Sequence, residues 1–124
     1  MFSHDGKLIA AIGSRGGVAL WSVEASKFVK RFDGSSAEDG CEVYGPLTFV
    51  YGGKLMAVAR QKDRFARNKK MHVVVTWDIY TGAVVVTPVC PWQTWSPWYL
   101  DFAAISPDGK QVAIGKPFGK VYRL

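Results

Sequence analysis

The sequence predicts an all-β chain built of short antiparallel strands, and three observations carry that expectation. Thirteen Gly and six Pro punctuate the 124 residues, and no window holds a sustained 3.6-residue apolar period. Aromatic side chains reach 14%, with five Trp, a composition that suits pleated, half-buried surfaces. A turn-plus-strand phrase also recurs along the chain. Charged residues at 21% and hydrophobic residues at 48% fit a folded chain with a real core and exclude a disordered one.

The first unit opens "FSHDGKLIAAIGSRGGVALWSV", residues 2–23. A tight Asp5-Gly6 turn, an apolar run, a Gly-rich turn and a second apolar run predict an antiparallel hairpin. The strand entering the Asp5-Gly6 turn is cut to Met1, Phe2 and Ser3. "HDGKLIAAIG" (4–13), "YGGKLMAVA" (51–59) and "PDGKQVAIG" (107–115) are three copies of one module, with Lys7, Lys54 and Lys110 spaced 47 and 56 apart. "VALWSVEASK" (18–27) and "VVTWDIYTGA" (74–83) form a second module, with Trp21 and Trp77 spaced 56 apart. "KVYRL" (120–124) supplies its third copy, with Tyr122 in the Trp position.

One insertion explains the uneven spacing. Lys7 to Trp21 is 14 residues and Lys110 to Tyr122 is 12, but Lys54 to Trp77 is 23. The roughly nine extra residues fall inside "RQKDRFARNKK" (60–70), whereas Trp21 to Lys54 and Trp77 to Lys110 are both 33. The middle copy contains strand-length runs at 46–50, 54–60, 72–78 and 83–87. Four strands in a unit of 40 to 50 residues are the sequence pattern of a propeller blade.

These phrases resemble the WD-repeat family, whose usual wording is "FSPDGKxLAxG…VxLWDxxTGK". Here the matching segments are "FSHDGKLIAAIG…VALWSVEASK", "TWDIYTGA" and "ISPDGKQVAIG", and the resemblance covers nearly the whole chain. The positions that carry it are Asp5, Gly6, Trp21, Gly53, Trp77, Asp78, Asp108, Gly109 and Tyr122. The Trp-Asp dipeptide itself survives once, at Trp77-Asp78. Family blades often carry a hydrogen-bonded Asp-His-Ser-Trp tetrad. Here Ala11 stands in the Ser place and Arg15 in the Asp place, and the only histidines are His4 and His72. The resemblance therefore implies diverged blades held by packing rather than by a buried polar network, with Trp21 and Trp77 each mostly buried between adjacent blades on the third strand of their own blade. It implies tandem four-stranded antiparallel blades in an open, incomplete propeller: 1–32 lacking most of its first strand, 43–88, and 98–124 lacking its last. Closed propellers use four to eight blades. The expectation is accordingly a fragment, an incomplete gene product or one part of a self-completing oligomer, with open strand edges prone to self-association.

The resemblance also implies that the loops joining second to third strands share a face with the connections between blades. That face would hold the acidic 33–42 connection, the inserted loop 60–70 and the "PWQTWSPW" segment (91–98). Arg60, Lys62, Arg64, Arg67, Lys69 and Lys70 stand against the single acid Asp63 and account for most of the net charge of +6. Such a cluster contacts phosphate backbones or anionic headgroups, or is a solvated hairpin partly neutralised by the acidic connection. Trp92, Trp95 and Trp98 recur every three residues among prolines. They either form an aromatic strip for a protein partner or fold down over a sheet edge.

No nucleophile–base set and no metal-ligand spacing is visible, so the expectation is a non-enzyme without cofactor or metal. The glycines of "GSRGG" (13–17) read as a β-turn in preference to an anion-binding nest. Cys41 and Cys90 fit either reduced thiols or one disulfide. No basic-then-apolar signal peptide is present, and prolines break the uncharged stretch 79–100, so the expectation is a cytoplasmic protein with no membrane span. The leading functional expectation is a protein–protein interaction scaffold, by analogy with the family. The alternative is nucleic-acid or anionic-membrane binding through loop 60–70.

Overall fold

A computed structural model describes residues 1–12, 17–32, 42–62, 70–91, 102–115 and 120–124. All regular structure among them is β: β1 (Leu8–Ile12), β2 (Val18–Ser22), β3 (Lys27–Phe32), β4 (Glu42–Val50), β5 (Lys54–Lys62), β6 (Lys70–Asp78), β7 (Val84–Pro91), β8 (Phe102–Ile105), β9 (Gln111–Gly115) and β10 (Lys120–Arg123). The strands form three antiparallel sheets in chain order, β1-β2-β3, β4-β5-β6-β7 and β8-β9-β10, and none closes on itself. An isolated bridge from Phe2 to Ile9 places the first residues of the chain beside β1.

The sheets stack face to face with the four-stranded sheet in the middle. One core cluster joins Ala10, Val18, Leu20 and Phe32 of the first sheet to Leu55, Ala57, Val75 and Trp77 of the middle one. A second joins Met56, Val58 and Val74 of the middle sheet to Ile105, Val112 and Ile114 of the third. This arrangement explains why β5 and β6 lack the polar–apolar alternation of a one-sided sheet. Both of their faces are covered, so odd and even positions alike must be apolar. Burying each Val, Leu or Trp contributes roughly 1.5–3 kcal/mol, and Leu55, Val58, Val74 and Trp77 are all fully buried. The sheets approach most closely along β4, which lies against β1 on one side and β8 on the other.

The four strands expected in the middle unit are present, and they run further than expected at the inserted end. The β5–β6 ladder continues past Ala59–Val73 through Arg60–His72, Gln61–Met71 and Lys62–Lys70. Part of the insertion is therefore a hairpin extension, with residues 63–69 outside the described residues.

Candidate functional site

The turns at one end of the sheets are built by short polar side chains. In Ser3–Leu8, the Asp5 carboxylate accepts from the Ser3 hydroxyl at 2.7 Å and the Lys7 N–H at 2.9 Å. The Ser3 Oγ accepts from the Leu8 N–H at 3.0 Å. Ser106–Gln111 repeats the set: the Ser106 hydroxyl donates to Asp108 at 2.6 Å, Lys110 N–H to Asp108 at 3.0 Å, and Gln111 N–H to Ser106 Oγ at 3.0 Å. Asp78 shapes the next turn, accepting from Tyr80 N–H at 2.9 Å and Thr81 N–H at 3.0 Å. Ser22, also one residue past its Trp, accepts from Ala25 N–H at 3.2 Å. The bonds from Ser3 and Lys7 hold Asp5 below the usual carboxylate range, those from Ser106 and Lys110 do the same for Asp108, and those from Thr81 and Tyr80 for Asp78.

The middle unit corrects the sequence alignment by one residue. Val23 N–H bonds Lys7 O and Leu124 N–H bonds Lys110 O, both at 2.8 Å, but the corresponding Ile79 N–H bonds Gly53 O at 3.0 Å. Gly53, not Lys54, is thus the counterpart of Lys7 and Lys110. Gly52 (φ 88°) takes the place of Gly6 (φ 72°) and Gly109 (φ 71°). The cause is a shorter turn. Val50 pairs with Lys54 across three residues, whereas Ser3 and Ser106 bond across four to Leu8 and Gln111. The tighter turn uses a second left-handed residue, and Gly53 at φ 72° supplies it.

With that register, each sheet presents an equivalent row on the side toward its predecessor in the chain. The middle sheet carries Phe49, Leu55, Trp77 and Val84; the third carries Ile105, Val112 and Tyr122; the first carries Phe2, Ile9, Trp21 and Phe28. Trp77 is fully buried, as the repeat reading expects, and Tyr122 is half-buried against the second core cluster. Trp21 is a correction: expected to be mostly buried between sheets, it is 37% exposed. It lies on the predicted strand, but its row faces outward, where no described residue of this chain forms a covering sheet. Its packing is edge-on to Phe28, with centroids 6.2 Å apart. The Trp77 Nε1 is buried without a hydrogen-bond partner.

Sequence reasoning missed the tie between the first two sheets. The His4 Nε2 donates to Phe49 O at 3.0 Å, and the ring stacks on Tyr51 at 5.3 Å. On its other side, Tyr51 N–H bonds Pro107 O at 3.3 Å, so one turn touches both neighbouring turns. Only the rings of His4 and Tyr51, one at each of the first two turns, hinted at this.

The candidate partner-binding residues fall mostly outside the described residues: Arg64, Arg67, Lys69, Trp92, Trp95 and Trp98 do so entirely. Arg60 is half-buried on β5, opposite Glu42 and His72, and Lys62 lies directly opposite Lys70 in the ladder. Among the described residues no cluster of His, Cys, Asp or Glu could hold a metal, and no helix is long and apolar enough to cross a membrane. Among the described residues, the outward row of the first sheet exposes two aromatic side chains, Phe2 at 60% and Phe28 at 53%. The chain matches no protein-family model and no curated protein sequence.

Proposed function

We propose that the three sheets are blades of a WD-repeat-type propeller, spanning 1–32, 43–88 and 98–124, and that the chain serves as a protein–protein interaction scaffold. The observation that carries this reading is the repetition of one side-chain-built turn, Ser3–Leu8 and Ser106–Gln111, in sheets stacked in chain order. The step from blade to scaffold is fold-level analogy. A photo-crosslinking residue in place of Tyr80, which is 85% exposed, tests it. Discrete heterologous adducts that disappear when unlabelled chain competes support the scaffold, and their absence counts against it.

A second reading, polyanion binding by hairpin 60–70, draws on the Lys62–Lys70 pair. The backbone register brings two cationic residues of the insertion opposite each other, the kind of pairing a polyanion site would draw on. Salt-dependent retention on heparin, lost when Arg64, Arg67 and Lys69 become Ser, would favour it.

A further inference from the structure

The two internal interfaces of the chain are one interface made twice. In each, the predecessor-facing row of one sheet covers a row on the back of the sheet before it. The row through Trp77 covers the back of the first sheet, where Ala10 and Leu20 pair and are buried. The row through Tyr122 covers the back of the middle sheet, where Met56 pairs with Thr76. The residues in these places on the third sheet are Ala113 and Val121, paired with each other and flanked by Ala104. Ala113 is half-buried, but Ala104 is exposed and Val121 is 66% exposed, whereas its counterpart Leu20 is 1%. Among the described residues, one outer face thus presents an uncovered aromatic row and the opposite outer face an uncovered aliphatic one. Neither row carries a charge.

We infer that these are two halves of a third such interface, closed between copies: the Phe2–Ile9–Trp21–Phe28 row of one chain docks on the Ala104–Ala113–Val121 row of a second copy. The occupant follows from continuity with the interface already repeated inside the chain. The contact is face to face and head to tail, distinct from pairing of strand edges. It propagates to a ring if the rotation closes and to an open stack if it does not. The inference rests on reading the sheets as repeated units.

Two exposed substitutions test it on the full chain. Wild type should show a light-scattering mass at least twice 13.7 kDa. Trp21→Arg spoils one row and Val121→Arg the other, so each variant alone should be monomeric. Their mixture should form a one-to-one dimer, because one intact row of each kind remains. Circular dichroism melts confirm that each variant folds, and Trp21→Ser with Val121→Ser replaces any that does not. A monomeric wild type overturns the inference, as does a mixture that stays monomeric. Association that survives both variants also overturns it, pointing to strand edges instead. None of these failures touches the Tyr80 crosslinking result, so the scaffold reading is judged separately.

Discussion

The Trp77 indole packs on the Phe32 ring across the first sheet interface, with centroids 6.0 Å apart at a 38° tilt. Both rings are buried, and the Lys30 Nζ sits 5.2 Å from the far ring's centroid, adding a cation–π contact at the rim. This pair couples the end of the first sheet to the centre of the middle one.

Truncation there should be costly and removal of the indole N–H should not. Trp77→Ala should destabilise by about 3–5 kcal/mol through lost contacts and a cavity. Trp77→Phe also loses volume, but it deletes a buried donor without a partner, worth about 1–3 kcal/mol. Urea denaturation should place Phe within about 1.5 kcal/mol of wild type. A loss for Phe as large as for Ala would show that the unpartnered indole N–H is no liability and that the whole indole is required.

Ser26 and Gly82 occupy the same place, five residues after Trp21 and Trp77, and both have positive φ, 47° and 74°. Only the first carries a side chain there. Ser26→Gly should therefore raise stability by up to about 1 kcal/mol, the left-handed strain removed less the entropy added to the unfolded chain. A thermal melt shifted downward would refute this.

Gly6 and Gly109 share a turn geometry but not their surroundings. A Cβ on Gly6 meets nothing within 4 Å, whereas one on Gly109 would lie 2.9 Å from the Met56 Sδ and 3.5 Å from Val50. Gly6→Ala should cost about 1–2 kcal/mol from φ alone, and Gly109→Ala measurably more, because the third sheet's turn must lift off the middle sheet. Equal losses would mean that Met56 simply swings aside.

Acid should weaken the turns. Asp5, Asp78 and Asp108 are held below the ordinary value of 3.8 in the folded state by hydrogen bonds to their ionised form. Their contribution is complete above the unfolded value and is lost as pH falls through the lowered folded ones, below about pH 4. Changing all three to Asn should flatten the stability profile over roughly pH 5 to 3.

Hairpin 60–70 should shorten without unfolding the chain. Lys62 and Lys70 are directly paired, so replacing 63–69 with Asn-Gly joins them through a two-residue turn. Stability should change by no more than about 1 kcal/mol, since loop length carries little entropy. Retention on heparin should fall if the second reading holds. Loss of the cooperative melt would show that 63–69 contributes to the core.

The strands and their order were legible because turns and apolar runs are local signals. "SHDGK" and "SPDGK" announce their own hydrogen bonds, since Ser and Asp at those offsets can reach the neighbouring N–H groups. The middle turn misled because "YGGK" preserves Gly-Lys while dropping one residue, and only the backbone bond from Ile79 to Gly53 reveals the slip. Trp21 shows the other limit. The sequence places it correctly on its strand, but exposure depends on what lies opposite, which is non-local. The charged hairpin and the Trp-rich segment, the most conspicuous functional features of the sequence, lie largely outside the described residues.

The double-sided burial of the middle sheet also bears on how the chain opens. Amides of β5 and β6 around Ala57, Val58, Val74 and Val75 sit between two apolar layers. The first and third sheets each lean on one layer only, so they can detach singly while the centre persists. Hydrogen exchange should therefore proceed from both ends inward, with the slowest amides in β5 and β6 and two faster classes flanking them. Unfolding becomes a peeling of outer leaves from a central ply, and the last protons to exchange mark that ply.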